Sequence, residues 1–406
     1  MTKHFCPMPF VNLETRTDGS MSVCCQIDDV IKNDDGSPMN LQDNIASDGW
    51  KSNWLKNLRK QFINGKKPEA CYSCWTAEDA GIDSKRQRAL RDFPDEQSRI
   101  ESGRTVKTVL REKPIAMDMK IGNICNNKCR ICSSYASSLW VPEEKKRDGA
   151  SNLFWDHMRS AGRWPDTNER FWPDFEEISS DCELLEFYGG EPFLSEKHYD
   201  ILQGLVDSGK SKNISLNYNT NGSIYPTRGV ELWPHFKRVM VSFSIDGVFD
   251  HFNYIRHPAD FELVQANLKH LLDQKIGVLF VDLCYTVSIF NILYMDEILN
   301  WGKICFPELP IYFNHVYTPE HLSCKVLPDN VKDIIKDKYK GTEYESHPDI
   351  VSSLKYCSDV SYHDEETIAR FYSQTKFSDM FRNESFADTF PELYTALKNN
   401  GAPEDF

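Results

Sequence analysis

Several things are missing from this chain of 406 residues. No apolar run approaches the roughly 18 residues that span a bilayer, and the opening stretch MTKHFCPMPF lacks the apolar core of an export signal. A cytoplasmic protein without a membrane partner is the expectation. Positive charge is in deficit: 47 Lys and Arg face 61 Asp and Glu, for a net charge of −14 and a sequence pI of about 5.3. That balance disfavours a long electrostatic footprint on nucleic acid and suits a small or peptidic substrate better. Internal repeats and low-complexity tracts are absent as well.

What the chain does have is cysteine. Hydrophobic residues at 40% and charged residues at 27% describe an ordinary globular protein, long enough for one large domain with one or two satellites. Thirteen cysteines are many for a chain without an export signal. Disulfides seldom persist in a reducing cytosol, so clustered thiols point to metal or catalysis. Cys6, Cys24, Cys25, Cys71 and Cys74 occupy the first part, and Cys125, Cys129 and Cys132 form a tight group. Cys182, Cys284, Cys305, Cys324 and Cys357 are scattered and read as core residues, the usual fate of free cysteine.

Between about 115 and 317 six strand-like runs alternate with helix-length segments: IAMDMKI, CELLEFYG, NISLNYN, VMVSFSI, VLFVDLCYTV and IYFNHVY. This order predicts parallel βα units with right-handed crossovers, an α/β sheet curled into an open barrel. The gap at 133–180, holding Trp140, Trp155, Trp164 and Trp172, reads as a largely helical insertion whose tryptophans pack a lid. Beyond Pro319 the text is helical and mixed in charge. The expected division is 1–113, 114–319 and 320–406.

Three readings compete for CNNKCRIC, residues 125–132. A structural zinc ion would want a fourth ligand. Buried structural cysteines would not need this spacing. Three iron–sulfur ligands would leave one iron of a four-iron cubane open for a substrate or cofactor.

With its C-x3-C-x2-C loop after the first strand of the alternating region, the chain resembles the radical S-adenosylmethionine (SAM) superfamily. Three further segments follow in order, one per βα unit. EFYGGEP at 186–192 resembles the family's GGEP motif, YNTNG at 218–222 its TNG segment, and SFSIDG at 242–247 its S-x-D-G segment. The resemblance covers roughly 115–317 and implies a partial (β/α)6 barrel in which Cys125, Cys129 and Cys132 ligate a [4Fe-4S] cluster. It further implies that Gly189, Gly190 and Glu191 hold the SAM ammonium, and that Thr220 and Ser244, with Asn219 as an alternative, bond its ribose or carboxylate. Arg256 is suited to the carboxylate. The implied chemistry is reductive cleavage of SAM to a 5′-deoxyadenosyl radical that abstracts hydrogen, with a flavodoxin or ferredoxin as reductant. Two departures stand out: Ile131 occupies a position where many relatives carry an aromatic, and no GxIxGxxE motif is present, leaving Val287 as a possible adenine contact.

FCPMPFVNLETRTDGSMSVCC resembles the cysteine hairpin of SPASM and twitch modules, which carry auxiliary clusters, and Asp18-Gly19 is itself a hairpin turn signal. With CYSC it supplies Cys6, Cys24, Cys71 and Cys74, with Cys25 an alternative to Cys24. Four thiolates suit a second [4Fe-4S] cluster and equally a zinc ion. Most relatives carry this module after the barrel, whereas here it precedes it. A C-terminal helical extension completes the expected architecture. Cys284, which shares a strand face with Asp282 and Thr286, is a candidate hydrogen donor, with Asp282 beside it. The resemblance implies modification of a peptide or protein. A small molecule (a sugar, nucleotide or cofactor precursor) is the alternative substrate, and a zinc-stabilised binding protein on a degenerate barrel the alternative of another class.

Overall fold

A computed structural model describes residues 4–79, 81, 83–103, 110–149, 160–358 and 364–406; Trp155 lies outside them. Eight strands form one sheet: β1 (Asn12–Thr15), β2 (Met21–Ser22), β3 (Ala116–Met119), β4 (Leu184–Phe187), β5 (Ser215–Thr220), β6 (Arg238–Ser244), β7 (Leu279–Val287) and β8 (Ile311–His315). Their order is β2-β1-β3-β4-β5-β6-β7-β8. β1 and β2 are antiparallel, and every other neighbouring pair is parallel. The fold is therefore mixed α/β. All six strands expected between 115 and 317 are present, their ends moved by no more than two residues.

The other two strands come from the N-terminal cysteine segment. Gly19 turns the β1–β2 hairpin at a φ of +82°, a left-handed conformation that glycine adopts without a Cβ clash. β1 then lies in register against β3, Asn12 opposite Ala116 through Thr15 opposite Met119. The N-terminal segment thus extends the same sheet.

Alternation along each strand sorts the two faces. On β5 Leu216, Tyr218 and Thr220 are buried, while Ser215, Asn217 and Asn219 are half-buried. Register carries this across neighbours, lining up Met119, Phe187, Tyr218 and Val241 on one face and Glu14, Asp118, Glu186 and Asn217 on the other. The apolar face is covered by helices such as Glu196–Asp207, which buries Tyr199, Leu202 and Leu205 and is capped by Ser195 accepting from the His198 N–H. Helix Phe261–Asp273 buries Phe261, Val264, Leu268 and Leu271. Each such side chain contributes about 1.5–3 kcal/mol when fully removed from water.

Where described, 133–180 is helical, with Val141–Asp148, Trp164–Thr167 and Phe171–Ile178. Trp164 and Trp172 pack edge-on against Phe171. The tail forms Asp329–Tyr339, Pro348–Cys357, Glu365–Arg382 and Pro391–Asn399 among its helices. Of the scattered cysteines, Cys182, Cys284, Cys324 and Cys357 are buried, but Cys305 is exposed. It ends helix Met295–Cys305 on the outward side, next to Ile304 at 78% exposure. Among the described residues no helix is long and apolar enough to cross a membrane.

Candidate active site

The carboxyl ends of β3 to β6 carry the singled-out segments, the end of a parallel sheet where ligand-binding groups collect. The loop after β3 is held from several sides. Lys128 and Arg130 donate their backbone N–H to His257 O and Ile255 O, each at 2.7 Å, and Cys132 donates to Cys129 O at 2.9 Å. Ser137 Oγ donates to Asn127 O at 2.6 Å, and Trp140 Nε1 to Cys129 O at 3.1 Å. Trp140 therefore braces the cysteine loop.

Cys125, Cys129 and Cys132 are half-buried and close enough that Cys129 and Cys125 each disfavour ionisation of Cys132. Removal from water, then the neighbouring Cys129, pushes the Cys125 thiol up to about 12. Thiols in this state ionise when a metal replaces their protons. Cys129 faces Arg256, which favours its thiolate against burial.

The segment after β4 docks directly on this loop. Gly190 has a φ of +63°, and a Cβ there would stand 2.5 Å from Ile124 O; its absence lets Glu191 donate its backbone N–H to Ile124 O at 2.8 Å. The Glu191 side chain, 2% exposed, accepts from Thr220 Oγ1 at 2.9 Å, Asn221 N at 2.8 Å and Phe193 N at 3.3 Å. Loss of solvation still outweighs these donors and raises its pKa to about 7. The Thr220 hydroxyl, expected to face a ligand, is thus engaged by Glu191. Asn219 and Ser244, by contrast, lie on the polar face of the sheet.

Asn221 was not among the residues singled out, and it joins the three segments. Its backbone serves Glu191, while its Nδ2 donates to Asn126 Oδ1 at 2.8 Å and approaches Cys125 Sγ at 3.8 Å. After β6, Arg256 Nη2 pairs with Asp246 Oδ2 at 2.6 Å, both side chains buried. Asp246 Oδ1 also accepts from Thr286 N at 2.9 Å, tying β6 to β7. Cys284 is buried, with Thr286 Oγ1 3.9 Å from its Sγ, and burial raises its pKa to about 11. Asp282 pairs by register with Ser242.

A second group of thiols sits in the N-terminal segment. Cys6, Cys24, Cys71 and Cys74 all line one narrow cavity, walled by Met8, Phe62 and Trp75 and approached by Lys85 and Arg86. Cys25 lies outside it, open to the neighbouring cleft. Burial raises all four cavity thiols, while Arg86 opposes the effect at Cys6 and Cys74. One zinc ion would need four thiolates each about 2.3 Å from a single point. Among the described residues no group of three or more His, Cys, Asp or Glu side chains is set to hold a metal ion.

Between the two thiol groups the polar face is charged. Fully buried Glu14 pairs with Lys120 and lies 3.7 Å from Arg16, and Lys85 Nζ is 3.4 Å from Glu186. Asp118, also fully buried, pairs by register with Glu186; burial and the Glu186 charge hold its pKa well above the usual range.

No family model matches the chain, and no curated protein does. Among solved structures it is similar to native anSMEcpe with bound AdoMet and a Cp18Cys peptide, at 16% identity over 55% of this chain and 58% of that one, with a TM-score of 0.36. It is also similar to Streptococcus suis SuiB bound to precursor peptide SuiA, at 11% identity over 72% of this chain and 60% of that one, with a TM-score of 0.34. The chain thus spans about three fifths of these structures, and likeness this loose assigns it neither a fold nor an activity.

Proposed function

We propose that the protein is a radical SAM enzyme on a partial (β/α)6 barrel that modifies a peptide or protein. One observation carries the reading: the cysteine loop, the Gly189-Gly190-Glu191 segment and the Thr220-Asn221-Gly222 segment form one hydrogen-bonded unit at adjacent strand ends, through Glu191 N to Ile124 O and Asn221 to Glu191, Asn126 and Cys125. Cys125, Cys129 and Cys132 would hold a [4Fe-4S] cluster, which together with SAM would supply a hydrogen-abstracting 5′-deoxyadenosyl radical. Glu191 offers a dry carboxylate matched to an ammonium group. Arg256, pinned by Asp246, presents a cation to a carboxylate, and Asn219 and Ser244 present polar side chains from the sheet. Cys6, Cys24, Cys71 and Cys74 would hold an auxiliary [4Fe-4S] cluster, with Cys25 free for other contacts. A flavodoxin or ferredoxin is the proposed electron donor.

Anaerobic reconstitution should give a brown protein with roughly eight irons per chain. Dithionite plus SAM should then release 5′-deoxyadenosine, and replacing Cys125, Cys129 and Cys132 together with alanine should abolish that release while leaving about four irons. A colourless zinc protein, or release undiminished in the triple variant, would overturn the reading.

A further inference from the structure

The parallel sheet ends on β8, and register decides which backbone groups stand at that edge. Leu283 donates to Pro310 O and Val316 to Val287 O, each at 2.9 Å. The even-numbered residues of β8 therefore face β7, and the odd-numbered ones turn N–H and C=O away from it. Among the described residues no hydrogen bond reaches the outward N–H or C=O of Phe313. An unpaired edge of this kind is a template for another extended chain.

The edge borders a slot of about 510 Å³, faced by Ser73, Ser84 and Arg88 from the N-terminal segment and by Ser352 from helix Pro348–Cys357. An adjoining cleft of about 290 Å³ shares Gln26, Ser73, His315 and Tyr317 with the slot. It continues to Cys25, Thr286 and Ile131, and Ile131 lies between Cys129 and Cys132. The route from bare edge to cysteine loop is continuous.

We propose that this slot takes an extended segment of the peptide substrate as a ninth strand on β8, and that the chain following it runs past Ile131 to the cysteine loop. The inference rests on the peptide reading above. Backbone N–H and C=O groups alternating along a strand are matched by another peptide backbone at about 4.8 Å; a sugar or nucleotide does not repeat them at that spacing. The side-chain charges of the slot are mixed, Lys85 and Arg88 standing with Asp83 and Asp349, so recognition falls to the backbone.

The test pans a display pool of random 12-residue peptides on the immobilised full-length protein and titrates individual retained peptides by fluorescence anisotropy. A bound peptide should slow amide exchange across 311–316. Phe313→Pro removes the outward N–H together with a ring packed on Tyr285, and Ser352→Trp fills the slot while leaving the residues of the strand unchanged; each should weaken binding at least tenfold. Should proline disturb β8, the tryptophan variant with an unchanged melting temperature decides alone. Failure to retain any peptide, unaltered affinity in the Ser352→Trp variant, or protection confined to another surface overturns the docking. Release of 5′-deoxyadenosine without added peptide reports separately on the radical reading, so the two can fail independently.

Discussion

At Glu191 the fold places a carboxylate beyond the reach of bulk water and supplies three donors to hold it. The unfolded chain loses this proton near 4.5 and the native protein near 7, so between those values the native state binds more protons. The stabilisation is fully present below 4.5 and is lost as pH rises through 7. A shift of that size corresponds to about 3 kcal/mol. Glu191→Gln, which keeps the shape and cannot ionise, should flatten this slope: wild type should lose melting temperature between pH 5 and 8 relative to the variant. Parallel thermal melts of the two proteins across that range measure it, and identical slopes would show that Glu191 titrates normally. The same residue shows the reach of local spelling. Gly-Gly-Glu names the glutamate, while the Thr220 hydroxyl turned toward it is settled by packing at the end of β5.

Elements meet at the cysteine loop in a way that spacing along the chain does not reveal. Arg130, one of the residues between the thiols, sends Nη2 to Asp379 Oδ1 at 2.6 Å and Glu384 Oε2 at 2.5 Å and stacks 3.6 Å from the Tyr254 ring centre. Nearby, Glu143 joins Lys128 at 2.9 Å to Arg382 at 2.9 Å. Helix Glu365–Arg382 and the turn after it therefore clamp the loop. Arg130→Ala would leave Asp379 to Tyr254 and Phe386 and Glu384 to His257 and remove the stacking, a loss of about 1.5–3 kcal/mol for hydrogen bonds to charged groups. It should lower the melting temperature and cut the iron retained by the triplet. Arg130→Lys should restore charge without the planar stack and recover only part of both. Equal iron content in all three proteins would show that the clamp does not govern how the triplet holds iron.

Across the whole molecule, the N-terminal segment and the alternating βα region share one sheet, because β1 sits between β2 and β3. Leu13 on β1 is fully buried, and Leu13→Ala should cost about 2–4 kcal/mol. If the sheet is one cooperative unit, hydrogen exchange followed by mass spectrometry should show protection falling by similar amounts in helix Asn53–Ile63 and in β5 and β6. Loosening of the N-terminal helix alone would mark it as a separately folding part.

Much of this was legible from the residues in order. The six strands between 115 and 317 are short, mostly apolar runs spaced by helix-length segments, and the thiol triplet, the paired glycines and the Asp18-Gly19 turn are signals confined to a few positions. The strand pairing of 12–15 with 116–119 was not legible, since four residues contain too little pattern to name a partner a hundred positions away. Cys24 and Cys25 are adjacent and chemically identical, and only the path of the backbone after β2 sends one into the four-thiol cavity and the other into the cleft. Cys305 was misread as core because helix burial depends on which face meets a neighbour. The sequence by itself determined which chemical groups exist and which short segments must turn, extend or coil, because those depend on local sterics. Tertiary structure decided which groups share a site: Asn221 with Cys125, Arg130 with Asp379 and the bare edge of β8 with Arg88 come together through long-range packing that no local interaction encodes.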